Sequence, residues 1–358
     1  MSSRVEIEEI ECVVCGNYDY VGLEVLPWKG VDLQYVLCSG CGLKFMHQRP
    51  TAEWYAKFYE EEFWQSSRVK KRDQNVIENE GELQLKWDED ELVAHGRDAE
   101  VSFDALIQGM IEWGSLERQR WRARRTLRNL SPVLSSLSSA SMVLEIGAGL
   151  GEASALLQRE FDCTPFAVEP SKVCSHYLRT VHKIEVLAPT VEALANRPEL
   201  IGKFDLIVLN HVLENTTDPI QNLGLLKSLL SEAGHIYVDT CNFYYNNAVN
   251  PYHPYIFSPE SLAGVLARSG LEVAYAYHAP HPDTVRWLQV DFRSQEPLEN
   301  AIYLAVIAIA CSNPRHDVNV DVQGLLRAQD RACSTLVPRA GAYVRFRRRL
   351  ARLNPFSS

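Results

Sequence analysis

Three glycines spaced two apart, Gly147, Gly149 and Gly151, close a short apolar run of Val143, Leu144 and Ile146, and helix-forming sequence follows at once. A strand, a glycine turn and a helix in that order let backbone approach a ligand where any Cβ would collide, with helix N-terminal amides facing it. Glu145 stands two residues before the first glycine, where an acid can face the cationic end of an amino-acid-like ligand. A second apolar run ends in Glu169, 22 residues after Gly147, in position to accept hydrogen bonds from two ribose hydroxyls. Nicotinamide and flavin enzymes and ordinary turns also use glycine, so the GxGxG spacing and the two acids carry the weight here.

A second group of reactive side chains lies near the N-terminus. Cys12 and Cys15, each pair followed by a glycine, are matched by Cys38 and Cys41 after 22 intervening residues. Such CxxC turns point backbone amides at sulfur, and four thiolates close a tetrahedral zinc site with no position left for a reacting water. The metal is therefore expected to be structural and to supply folding energy to a segment too small for its own core. Four buried thiols or a redox pair are the other readings of the same spacing.

Two histidines are candidates for proton transfer, because imidazole titrates near neutrality. His211 follows the apolar run Phe204–Asn210, so Asn210 and His211 border the reacting group if that run is a strand ending at a ligand crevice. His211 then serves either as a general base or as a residue lining the pocket. His253 lies in the loop 242–259, which is rich in Tyr, Asn and Pro, a composition suited to setting substrate specificity.

The elements that position these residues follow from periodicity. Segments 152–161, 171–181 and 223–230 read as helices; 166–169, 184–187, 204–210 and 235–240 read as strands. Alternation at this rhythm means a doubly wound parallel sheet. Ser258 and Pro259 open a further helix that Gly270 ends, and 271–277 and 301–310 are the last strands. Upstream, Thr51 can cap a helix with an aromatic face, and 115–137 reads as an arginine-rich helix with a solvated face or, alternatively, a phosphate grip.

The residues Glu145 to Gly151, Glu169 and the run Phe204–Asn210 followed by His211-Val212-Leu213-Glu214 resemble class I S-adenosylmethionine-dependent methyltransferases over roughly residues 116 to 312. The resemblance implies an α/β, doubly wound, seven-stranded Rossmann-like sheet whose final strand inserts antiparallel. It implies S-adenosylmethionine as cofactor, held by Glu145, Gly147, Gly149, Gly151, Glu169 and Asn210. The order of a small zinc-ribbon module, an aromatic helix and then this core is similar to bacterial methyltransferases of surface-polysaccharide and deoxysugar pathways. His253 occupies the histidine position of the EHxxxxS element of the sugar C-methyltransferases, with Tyr252 in place of the glutamate. That replacement favours O-methylation of a sugar or glycan hydroxyl over C-methylation, which needs a stronger oriented base. Asn215 likewise replaces the last histidine of an HxxEH pattern, which weakens a metal-assisted reaction.

The expected organisation is 1–58 for ribbon and aromatic helix, 59–114 for a connector or lid, 115–312 for the core and 313–358 for a basic helical tail. A net charge of -10 in 358 residues argues against a broad nucleic-acid face, so an RNA-modifying enzyme is the weaker alternative, beside a non-catalytic cofactor-binding scaffold. The N-terminus lacks the features of a secretory signal, which implies a cytoplasmic protein. Six arginines in 339–352 are either an exposed tail or a contact with an anionic membrane surface or lipid-linked glycan.

Overall fold

The computed structural model describes residues 5–61, 84–88, 91–96, 99–102, 115–244, 249–277, 303–314, 322–327 and 329. Most of the connector expected over 59–114, the loop residues 245–247 and the arginine-rich segment 339–352 lie outside these.

In chain order the described elements begin with β1 (Ile7–Glu9), β2 (Tyr20–Trp28), β3 (Val31–Cys38) and β4 (Lys44–Pro50). Next come α1 (Ala52–Glu61), β5 (Gln84–Asp88), β6 (Glu91–Gly96), β7 (Ala99–Ser102) and α2 (Ser115–Asn129). The glycine-turn region contains β8 (Met142–Ile146), α3 (Glu152–Phe161), β9 (Thr164–Val168), α4 (Lys172–Tyr177) and β10 (Glu185–Ala188). Then follow β11 (Phe204–Asn210), α5 (Pro219–Leu229), β12 (Leu230–Cys241), β13 (Tyr255–Ile256), α6 (Pro259–Arg268), β14 (Leu271–Tyr277) and β15 (Tyr303–Ala310).

Seven strands form one mixed sheet in the order β10-β9-β8-β11-β12-β15-β14. β15 runs antiparallel to both β12 and β14, the insertion that the resemblance implies. Strand β11 carries Phe204, Leu206, Ile207, Val208 and Leu209 almost wholly buried, the near-continuous apolar run expected of a parallel strand covered on both faces. Each such side chain contributes about 1.5–3 kcal/mol of burial.

The chain divides into two compact units, Met1–Ala52 with Ala195–Ser358, and Glu53–Leu194. In the first, β1 to β4 form an antiparallel sheet to which β13 adds by pairing with β4, Tyr255 opposite Phe45 and Ile256 opposite Lys44. Its core joins Leu33, Tyr35 and Met46 of the hairpin sheet to Phe243, Tyr244 and Ile256. In the second, the glycine turn leads from β8 into α3, and α2 ends at Asn129 rather than at 137 because Ser131-Pro132 stops it. Arg124 and Arg128 lie on the exposed face of α2, but Arg125 is buried with its guanidinium 4.8 Å from the Trp121 ring centroid.

Local capping explains several boundaries. Asp218 accepts from Gln221 N–H at 2.9 Å and Pro219 occupies the first turn, so α5 starts earlier than periodicity alone indicates. Ser258 and Ser261 form a reciprocal capping box at α6. Gly234 lies within β12, and a Cβ there would sit 2.7 Å from the Phe204 carbonyl oxygen, which is why a glycine stands where the strand crosses so closely.

Candidate active site

Gly147, Gly149 and Gly151 adopt φ of 60, 56 and 72°, a region costly for a residue with Cβ. Gly151 has a second reason: a Cβ there would meet the Leu178 side chain in the π-helical turn Leu178–His182. Glu169, at the end of β9, is buried and its two carboxylate oxygens accept from Gly149 N–H at 2.7 Å and Ser171 N–H at 2.9 Å. Those two amides fix the plane of the carboxylate. Burial pushes its pKa up to about 7, the Gly149 and Ser171 amides pull it down, and the Glu145 charge adds to the rise.

Glu145 is also buried, and one oxygen accepts from Ser154 N–H at 3.0 Å and Ser154 Oγ–H at 2.6 Å in the first turn of α3. It thereby binds the N-terminal end of that helix. At the start of α3, Glu152 pairs with Arg120 at 3.2 Å and with His182 at 3.5 Å. Burial raises its pKa, and His182 and Arg120 together bring it below the usual carboxylate range.

In the other unit, β11 ends at Asn210, and His211 turns the chain with φ of 56°. A non-glycine residue in this region costs about 1–3 kcal/mol unless its surroundings hold it. Here His211 N–H donates to the Asp239 carbonyl at 2.7 Å, and Asn215 Nδ2 donates to the His211 carbonyl at 2.8 Å. Asn215 thus closes the turn. The His211 ring faces two buried acids: Nδ1 lies 3.0 Å from Glu214 Oε1, and Nε2 lies 3.9 Å from Asp239 Oδ1. Glu214 has no solvent exposure and also accepts from Thr240 Oγ–H at 2.8 Å, with Cys241 Sγ 3.9 Å away. The donor atoms of His211, Glu214 and Cys241 all lie within 4.8 Å of one another.

His253 sits in the segment before β13. Its Nδ1 is 2.9 Å from Asn250 Nδ2, and its carbonyl and that of Asn250 both face the Tyr35 hydroxyl, at 2.7 and 2.6 Å. Met46 N–H donates to the Pro254 carbonyl at 2.7 Å. Arg49, buried on β4, donates from Nη1 to the Thr217 carbonyl and the Tyr255 hydroxyl, both at 2.8 Å. Burial pushes the Tyr255 hydroxyl up to about 12, against the pull of Arg49, so it stays a donor, and it reaches the same Thr217 carbonyl at 3.0 Å. The N-terminal sheet therefore holds both the segment after Glu214 and the loop that carries His253.

The cysteines meet as their spacing predicts. All four Sγ atoms lie within 4.8 Å of one another, with Cys12 to Cys41 and Cys15 to Cys38 each at 3.3 Å. Gly16 N–H donates to the Cys12 carbonyl and Gly42 N–H to that of Cys38, in turns where both glycines have positive φ. Sulfur hydrogen bonding to Cys38 holds Cys12 up at about 12, and bonding to Cys12 and Cys38 holds Cys41 up as well. The corresponding bonds from Cys12 and Cys41 draw Cys38 down to about 2. Four sulfurs this close are a donor set that a divalent cation, rather than protein groups, would hold as thiolates together.

The sequence reading names the glycines, both acids, the cysteines and both histidines as candidates, with Glu214 beside His211 in an HxxE pattern. It does not foresee Asp239, Tyr35 or Asn250 as partners of the histidines.

A family model described as "Methyltransferase domain" matches residues 118–276. The chain is 30% identical over 103 residues to the ubiquinone biosynthesis O-methyltransferase of Marinobacter nauticus, covering 28% of this chain and 43% of that protein. It therefore spans less than half the length of that curated relative. Among solved structures it is similar to the 1,6-didemethyltoxoflavin-N1-methyltransferase of Burkholderia thailandensis, with TM-score 0.40, 18% identity, and 64% of this chain and 99% of that chain covered. A SAM-dependent methyltransferase from Aquifex aeolicus gives TM-score 0.38 and 16% identity, with 50% and 87% covered.

Proposed function

We propose, from the class I S-adenosylmethionine-dependent methyltransferase domain that residues 118–276 form, that the protein transfers a methyl group from S-adenosylmethionine to a hydroxyl oxygen of a small-molecule or glycan acceptor. The observation that carries this reading is the glycine turn with its oriented acid. Three glycines in succession take the left-handed backbone that a residue with Cβ avoids, and the Glu169 carboxylate, fixed by Gly149 and Ser171, keeps lone pairs for two ribose hydroxyls. Glu145, tied to Ser154, supplies negative charge for the amino-acid end, and Asn210 lies at the tip of β11.

S-adenosylmethionine supplies a methyl on a cationic sulfur, which makes that carbon reactive without further activation. The protein's own residues align the acceptor and take its proton. His211 suits the second task. Because Glu214 accepts at Nδ1, the ring carries its proton there and offers Nε2 as the base. Once Nε2 is protonated, the imidazolium lies between Glu214 at 3.0 Å and Asp239 at 3.9 Å, which stabilises it. This arrangement supports an enzyme over a scaffold that only binds cofactor.

Oxygen is favoured as the methylated atom by Tyr252, which replaces the acid that C-methylation uses, and by the O-methyltransferase relative. A sugar hydroxyl, which the ribbon-plus-core order implies, is the acceptor placed first. Cys12, Cys15, Cys38 and Cys41 hold a structural Zn²⁺, a closed tetrahedral thiolate site in a reducing, cytoplasmic setting. Among the described residues no helix is long and apolar enough to cross a membrane.

The test is transfer of labelled methyl from S-adenosylmethionine by full-length protein to a panel of nucleotide hexoses and catechols, 3,4-dihydroxybenzoate among them. Labelled product from one arm, lost in His211→Ala with cofactor binding intact, supports the reading. Product formed undiminished by His211→Ala removes His211 as base, and absence of any labelled product removes transfer to these hydroxyls.

A further inference from the structure

Each backbone amide from Gly147 to Gly151 donates to an acceptor within the chain. Gly147 N–H and Ala148 N–H both reach the Val168 carbonyl, at 2.8 and 3.4 Å, and Gly151 N–H reaches that of Ala148 at 2.9 Å. Gly149 N–H is taken by Glu169. Leu150 N–H donates to Gln119 Oε1 at 3.0 Å. The first four acceptors thus belong to the turn itself, to the end of β9 or to the residue after it. Gln119 alone comes from elsewhere, 31 residues earlier on α2.

This bond falls where the turn has no sheet to lean on. β8 ends at Ile146, and Leu150 stands between Gly149 and Gly151, both left-handed at φ of 56 and 72°. Leu150 is itself buried, so its amide has little water to turn to. The next residue of α2 acts on the far side of Gly151, where Arg120 Nε lies 3.2 Å from Glu152 Oε2. Adjacent residues of one helix therefore hold Leu150 and Glu152, the two neighbours of Gly151. The π-helical turn bounds the same residues, with Leu178 in the space a Gly151 Cβ would need and His182 3.5 Å from Glu152. The two contacts from α2 differ in weight. The Arg120 side chain is 46% exposed and water screens its ion pair, whereas Gln119 satisfies a backbone amide directionally.

We infer that Gln119 is a positioning residue of the cofactor site, whose side-chain oxygen fixes the Leu150 amide and so keeps the glycine turn in the shape that receives S-adenosylmethionine. Gln119 acts through the turn rather than on the cofactor. Without that acceptor the Leu150 N–H has to find another partner, and the turn relaxes. Binding then has to restore its shape, and the cost appears as lost affinity.

The cofactor role rests on the methyl-transfer reading above, whereas the hold on the turn does not. Hydrogen exchange at the Leu150 amide of full-length, ligand-free protein reads the hold alone. Exchange should be about tenfold faster or more in Gln119→Leu, which has similar size and no acceptor, and near wild type in Gln119→Glu, which keeps a side-chain oxygen. Equal exchange in wild type and Gln119→Leu overturns the inference.

Calorimetric titration with S-adenosylhomocysteine then reads the cofactor role. Kd should rise about tenfold or more in Gln119→Leu and stay within about threefold of wild type in Gln119→Glu. Arg124→Gln, on the exposed face of the same helix, is the control and should bind as wild type does. A part in stability alone would lower the thermal midpoint of Gln119→Leu and leave the Kd of the folded protein unchanged. That result overturns the inference, as does a Gln119→Glu that binds as weakly as Gln119→Leu, or an equal loss in Arg124→Gln. If the wild type takes up no S-adenosylhomocysteine, the methyl-transfer reading falls and the cofactor role with it, while the exchange result still decides whether α2 holds the turn.

Discussion

Glu214 Oε1 lies 3.0 Å from His211 Nδ1 with the Glu214 side chain wholly shielded from solvent. In the proposed mechanism a buried acceptor at one ring nitrogen sets the other as the site that receives a proton, so the pair would work as a unit. Replacing Glu214 by Gln keeps an acceptor atom and removes the charge that stabilises the imidazolium. Turnover in Glu214→Gln should fall about 10- to 100-fold, less than the roughly 10²- to 10⁴-fold loss in His211→Ala, with S-adenosylhomocysteine affinity near wild type in both. Equal activity in Glu214→Gln and wild type would remove this positioning role.

If Glu169 holds the cofactor ribose as proposed, cofactor binding should depend on pH. Its pKa is raised from the usual carboxylate range to about 7, chiefly by burial. Between the unfolded value and about 7 the folded chain keeps a proton that the unfolded chain has released. This group's contribution to stability is therefore fully present below the unfolded pKa and is lost as pH rises through about 7. Ribose hydroxyls donate best to the ionised carboxylate, so binding should tighten as pH passes about 7 and should expel a proton below it. Calorimetric titration with S-adenosylhomocysteine in buffers of different ionisation enthalpy reads both effects, and Glu169→Gln should abolish the proton release. Affinity and proton count that stay flat across this range would contradict the placement of Glu169 at the ribose.

The four cysteines should carry one Zn²⁺ per chain, measurable by elemental analysis, and Co²⁺ in its place should show thiolate-to-metal charge-transfer absorption. Since Tyr35, Met46 and β4 connect the ribbon to the loop of His253, Cys41→Ser should lower thermal stability and raise acceptor KM more than cofactor Kd. Full zinc content in Cys41→Ser would argue against the four-sulfur site.

Gly234 is expected to be intolerant for a purely steric reason. The Phe204 carbonyl oxygen, 2.7 Å from where a Cβ would lie, belongs to backbone paired within the sheet and cannot swing aside. Gly234→Ala should destabilise the protein by about 1–3 kcal/mol, seen as a lowered thermal midpoint, with kcat unchanged at temperatures where the chain is folded.

How much of this was legible in sequence varied with the range of the interactions. The strands Phe204–Asn210 and Leu271–Tyr277 and the helix Glu152–Phe161 match their periodicity-derived bounds, because local apolar pattern and caps decide them. The helix expected over 171–181 instead passes at Leu178 into a π-helical turn, since Leu178 and Ile184 pack into one buried cluster and local propensity gives way to that contact. The cysteine cluster was readable because two CxxC pairs at this separation bring four sulfurs together. The partners of the histidines were not: Tyr35 stands 218 residues from His253, and no local pattern encodes that contact. Likewise the pairing of β13 with β4 becomes evident only once both strands are placed.

The most direct measurement is a calorimetric titration of full-length, zinc-loaded protein with S-adenosylhomocysteine, run beside Gly149→Val, whose side chain a φ of 56° strongly disfavours. Saturable binding at one site per chain, lost or weakened at least about tenfold in Gly149→Val while the far-ultraviolet spectrum of the fold persists, is the expected result. A flat titration with folded wild-type protein, or undiminished binding in Gly149→Val, would contradict the assignment of this turn as the cofactor cradle.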